Sequence, residues 1–80
     1  MPTILKIGPY RFYFFSREES RVHIHVSCAD GEAKFWLEPN LELATNHKLS
    51  KTQLKQIEQL IEEYRDDFRN AWNNHFKPGS

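Results

Sequence analysis

His23-Ile24-His25 is where this chain could do chemistry. On a strand, the two imidazoles stand on one face, about 7 Å apart along it. Imidazole titrates near neutrality, so the pair could act as base and acid on RNA, with Arg11 or Lys34 beside it. That makes His23, His25, Arg11 and Lys34 the candidates for catalysis. The same spacing could hold one metal ion, with Glu38, His47 and His75 as the remaining ligands in reach of the argument. The plainer alternative makes both imidazoles half-exposed sheet residues that touch a partner. We expect this last arrangement, with no metal and no cofactor.

A second constellation surrounds the first. Arg11 and Lys34 share a strand parity with Tyr13, Phe15 and Trp36. Rings interleaved with cations suit a single-stranded nucleic acid, whose bases stack while its phosphates are held. They suit a protein interface equally, since Trp, Tyr, Phe and Arg are enriched there. Net charge weighs on this choice. Eleven basic residues balance eleven acidic ones, and each half of the chain is near neutral. A protein held to nucleic acid by overall charge is not written this way. The predicted binding set is Arg11, Tyr13, His23, His25, Lys34, Trp36 and Glu38, turned toward a protein.

The elements must position that set. Val22 to Cys28 alternates cleanly, with Val22, Ile24, Val26 and Cys28 on one side and His23, His25 and Ser27 on the other. Ala29-Asp30-Gly31-Glu32 reads as a tight hairpin with Asp-Gly at its centre. Ala33 to Glu38 is the return strand, ended by Pro39. Thr3 to Ile7 and Tyr10 to Ser16 are β-prone, with Gly8-Pro9 between them. Asn40 to Ala44 is a further short edge strand. Arg17 to Arg21 reads as a charged loop.

After Ser50 the period changes. Leu54, Ile57, Ile61, Tyr64, Phe68, Trp72 and Phe76 recur in steps of three and four, the stripe of one long helix. Ser50 and Gln53 form a capping box, Leu49 and Leu54 a hydrophobic staple. Lys77-Pro78-Gly79 is the stop. The charged residues between the stripe positions, Arg65 and Arg69 among them, read as a solvated face with i,i+4 pairs. The fold predicted is α+β: a small antiparallel β-meander of three to five strands over 1–45, packed against one long C-terminal α-helix over 50–76. Leu5, Ile7, Phe12, Phe14, Ile24, Val26, Phe35 and Leu37 would face the helix, and the candidate set would face away. A helix longer than the strands would leave its Phe68–Phe76 end overhanging, which favours a homodimer or a partner contact.

Eighty residues form one domain. A chain this small buries only about 60–65% of its unfolded surface, so two Trp, three Tyr and six Phe carry much of the core. Cys28 is the single cysteine and sits on the apolar parity of its strand, as a core residue. An unpaired thiol fits a reducing cytosol. No signal peptide and no membrane-spanning run is visible. We expect a cytoplasmic protein.

Three blocks together resemble a known family. They are Met1 to Gly8 with Tyr10-Arg11-Phe12, then His23-Ile24-His25-Val26, then Ala33 to Pro39 with the Leu60–Trp72 helix. The chain looks like a member of domain-of-unknown-function family 4160, a set of small prokaryotic proteins. Val22 stands where the family usually has proline. The resemblance implies a component of a toxin–antitoxin-like gene pair, with a small protein encoded by a neighbouring gene as partner. It implies no catalytic role for any residue.

Overall fold

The computed structural model describes residues 3–14 and 21–75. Five strands come first: β1 (Thr3–Ile7), β2 (Tyr10–Tyr13), β3 (His23–Cys28), β4 (Gly31–Trp36) and β5 (Glu42–His47). They pair antiparallel in sequence order, as one sheet. Two helices follow, α1 (Lys51–Glu63) and α2 (Arg65–His75). The architecture is the predicted α+β meander with a C-terminal helical region against one face.

The core follows the apolar parity. Phe12, Phe14, Ile24, Val26, Phe35 and Leu37 are buried with Ile57, Ile61, Phe68 and Trp72, and Leu5 and Ile7 pack at the margin. Tyr10 and Ala33 complete the sheet's contribution. Cys28 is half-buried against the same cluster. Each large buried ring removes enough apolar area from water to matter in so small a domain.

The β3–β4 hairpin differs in detail from expectation. Cys28 pairs directly with Gly31, so Ala29 and Asp30 form the two-residue turn and Gly31 already belongs to the strand. Its lack of a side chain answers a close approach: a Cβ on Gly31 would overlap the His47 carbonyl. Asp30 then accepts a hydrogen bond from Gln53 Nε2 at 2.8 Å, tying the turn to the start of α1. The edge strand also lies further along the chain than the expected Asn40–Ala44: it begins at Glu42 and ends at His47. A bulge between Lys34 and Phe35 places Ala44 out of step, so the alternation that would have marked β5 is broken midway.

The predicted cap at Ser50 is present. Its Oγ accepts from Gln53 N–H at 3.1 Å, and Gln53 Oε1 accepts from Ser50 N–H at 2.9 Å. The single long helix is a correction: the helical region is interrupted at Tyr64, with φ −106° and ψ 19°. The interruption is slight, since Tyr64 N–H still donates to the Leu60 carbonyl and Phe68 N–H to the Tyr64 carbonyl, both at 3.0 Å. The buried stripe continues across it through Ile57, Ile61, Phe68 and Trp72, which is why the apolar period alone predicts one helix.

Two arginines fix α2. Arg65 Nη2 donates to the Leu37 carbonyl at 3.0 Å, and Arg69 Nε lies 3.2 Å from the Glu38 carboxylate. They fasten α2 to the end of β4 rather than standing in a solvated face, although Arg65 also meets Glu62 at 3.7 Å. The expected overhang is likewise absent as far as Trp72: Phe68 is fully buried and Trp72 is 6% exposed. Phe15, the Arg17–Ser20 loop, Phe76 and the stop at Lys77 to Gly79 lie outside the described residues. No helix among the described residues is long and apolar enough to cross a membrane.

Candidate functional site

Register turns the second parity into rows. Directly opposed residues in antiparallel strands share a face. Tyr13 opposes His25, His25 opposes Lys34, and Lys34 opposes Thr45. One row therefore runs Tyr13–His25–Lys34–Thr45 across four strands. Beside it lies Arg11–Ser27–Glu32–His47, and on the other flank His23–Trp36–Glu42. These rows occupy the face opposite to the one that Phe12, Ile24, Val26 and Phe35 present to the helices.

The rings of this face are seats for cations. The Arg11 guanidinium lies 5.1 Å from the Tyr13 ring centre. Trp36 carries two cations, Arg21 at 4.3 Å and Lys34 at 4.4 Å. Such contacts contribute roughly 0.5–1 kcal/mol at exposed sites through the ring quadrupole. Arg21 Nε also donates to the Glu38 carbonyl at 2.9 Å, which orients the guanidinium. Tyr13 stacks on His25, with centroids 5.5 Å apart and planes 18° apart. The candidate residues thus touch one another in sequence: Arg11, Tyr13, His25, His23, Trp36 and Lys34.

His23 departs from its expected half-exposure. It is fully buried. Its ring meets Trp72 of α2 edge-on at 4.8 Å, Trp36 at 5.7 Å and His25 at 5.2 Å. Nδ1 lies 2.7 Å from the Arg21 carbonyl. A carbonyl oxygen can only accept, so Nδ1 carries the proton of that bond. Although the parity of β3 turns His23 away from the helices, Trp72 covers it. His25 is the imidazole of the pair that a ligand can reach.

His25 lines an open basin of about 390 Å³ together with Tyr13, Glu32, Lys34, Thr45 and His47. A basin of this size and polarity fits a side chain or a small anion better than an apolar ligand. Among the described residues, no group of three or more His, Cys, Asp or Glu converges as a metal site. Glu38, the nearest ligand the sequence offered, instead faces Arg69.

Sequence reasoning missed Arg21, Glu32, Thr45 and His47 as members of this face. Arg21 falls in the predicted loop, and Thr45 and His47 lie past the predicted end of the edge strand at Ala44. Glu32 had a signal, since it shares parity with Lys34 and Trp36 across the hairpin. The bulge at Ala44 removed the corresponding signal for β5.

The family model described as Domain of unknown function (DUF4160) matches residues 10–73, from the start of β2 to near the end of α2. The chain belongs to that family. No curated protein and no solved structure matches it.

Proposed function

We propose that this member of the family is the protein-binding component of a small two-gene pair of toxin–antitoxin type, and that it binds its partner through the outer sheet face. The observation that carries the reading is the state of the rings. Trp36 and Tyr13 already hold Arg21, Lys34 and Arg11 against them. A nucleic-acid platform stacks bases on open ring faces, and here cations occupy that position. A half-buried Trp with flanking arginine and lysine is instead the composition of a protein-interface anchor. The helices pack on the other face and reach round to this one at His23, through Trp72, while Trp36 stays half-buried and available as the anchor. The cytoplasmic assignment and the neighbouring-gene partner rest on the family resemblance.

The test is binding of the neighbouring gene's product to purified protein by calorimetry. Trp36→Ala is expected to weaken that complex by about 2 kcal/mol or more, roughly thirtyfold in Kd. Arg11→Ala and Lys34→Ala should each cost less. A Trp36→Ala protein that binds as well as the parent would overturn the reading. So would tight RNA binding that loses affinity and flattens its salt dependence on Arg11→Ala and Lys34→Ala, which is the signature of an RNA-binding or metal-independent ribonuclease face.

A further inference from the structure

We infer that β5 is a self-pairing edge, and that two copies of the chain join β5 to β5 antiparallel about a two-fold axis, with Glu42 opposite the second copy's His47. The inference does not depend on what binds the outer face.

Among the described residues, β5 is the last strand of the sheet and pairs with β4 on one side only. Such an edge presents a row of backbone donors and acceptors to any strand that can match it. Its residues are exposed except for Ala44, which is half-buried, and Leu43 is 45% exposed, the one large apolar side chain so exposed among the described residues. The strand carries no proline and no lysine, and the bulge at Ala44 is the one feature that interrupts its edge.

The sequence Glu-Leu-Ala-Thr-Asn-His complements itself when reversed. With the full six residues overlapped, Glu42 meets the second copy's His47, Leu43 meets Asn46, and Ala44 meets Thr45. Opposed residues must share a face. The intramolecular register puts Glu42 beside Trp36 and His47 beside Glu32, both on the outer face, and Leu43 beside Phe35 and Asn46 beside Ala33, both on the helix side. Faces therefore agree at both ends of the overlap. The two bulge positions fall together at the centre, where the axis passes. Sliding the strands by one residue sets Leu43 against His47, or Glu42 against Asn46, and the faces disagree.

Charge favours the same register. The outer row Arg11–Ser27–Glu32–His47 would continue into Glu42 and Trp36 of the second copy, so His47 would stand between two carboxylates. The basin that Glu32, Lys34, Thr45 and His47 line reaches β5 at Thr45 and His47, and the second copy's Glu42 would stand beside that end of it.

The experiment is a charge swap read by sedimentation equilibrium, with circular dichroism to check folding. His47→Glu puts a carboxylate between Glu32 and Glu42 twice per dimer, and should raise the dimer dissociation constant by about tenfold or more. Glu42→Lys should also weaken the dimer. The double variant Glu42→Lys, His47→Glu should recover association to within about threefold of the parent, because the opposite charges again face each other. A second readout uses Glu42→Cys, His47→Cys in a Cys28→Ser background. The ends of a six-residue strand are about 17 Å apart, too far for a bridge within one chain, so mild oxidation should give covalent dimers. A parent protein that is monomeric at several hundred micromolar, a dimer indifferent to His47→Glu, or a double swap that does not restore it would each overturn the inference.

Discussion

The two faces of the sheet are written by the same alternation on the same strands, and they satisfy their aromatic rings in opposite ways. On the helix side, ring meets ring. Phe12 packs on Phe68 with centroids 5.0 Å apart and planes tilted by 38°, and Phe14 meets Trp72 edge-on at 5.1 Å. These rings are buried and their contribution is the exclusion of water. On the outer side, rings meet cations as well as imidazoles: Tyr13 is buried, stacked on His25 with Arg11 over its ring, while Trp36 stays half-buried against Arg21 and Lys34. The difference separates stability from recognition. A ring closed in by other rings has no surface left to offer, whereas one seated among Arg21 and Lys34 still has a wet edge.

The largest expected effect tests this division directly. Phe12→Ala should destabilise the fold by about 3–5 kcal/mol, the usual cost of emptying a ring-sized core site. Trp36→Ala should cost about 1 kcal/mol or less by urea denaturation, although it removes a larger ring. Equal losses would show that the outer face is core in all but name, and the functional reading would lose its ground.

His23 sharpens the comparison because it belongs to one face by parity and to the other by burial. His23→Ala removes a buried ring and the bond to the Arg21 carbonyl, and should cost about 2 kcal/mol. His25→Ala, two residues along the same strand, should cost well under half of that in the same denaturation experiment. Similar values for the two would mean that Trp72 does not close over His23 in solution.

What the sequence made legible follows from where periodicity was intact. From Val22 to Cys28, four apolar and three polar residues alternate without a break, so the helix-facing set from Phe12 to Leu37 could be named in advance. Ser50 and Gln53 state the cap in their own chemistry, and it is formed by both hydrogen bonds. The break at Tyr64 was hidden because neither glycine nor proline marks it and the stripe runs through it unchanged. The burial of His23 was hidden for a different reason: it depends on Trp72, forty-nine positions away by the numbering, and no local pattern encodes that contact. The expected edge strand stops at Ala44, short of the end of β5 at His47, because the bulge at Ala44 shifts the parity there. Arg65 and Arg69 looked like ordinary helix-surface charges, since their partners, the Leu37 carbonyl and Glu38, lie on a strand. Local rules failed wherever a long side chain reached another element.

The smallest expected effect lies at the margin of the helix-side face, at Tyr10. Its ring is buried while its hydroxyl donates to Gln56 Oε1 at 2.7 Å. Burial, then the nearby Cys28 and Asp30, holds the Tyr10 hydroxyl above its ordinary titration range. The folded state therefore keeps this proton more tightly than the unfolded chain does. The resulting stability is fully present below the unfolded value of about 10, and is lost as pH rises through the higher folded value. Tyr10→Phe should remove that component. At neutral pH it should cost only a few tenths of a kcal/mol, because Gln56 is exposed and its carbonyl can turn to water. Thermal melts between pH 8 and about 11 should then show a shallower alkaline decline for the variant than for the parent. Parallel declines would mean that the Tyr10 hydroxyl titrates in the folded protein as freely as in the unfolded one, and that this corner of the helix-side face is as wet as the face behind it.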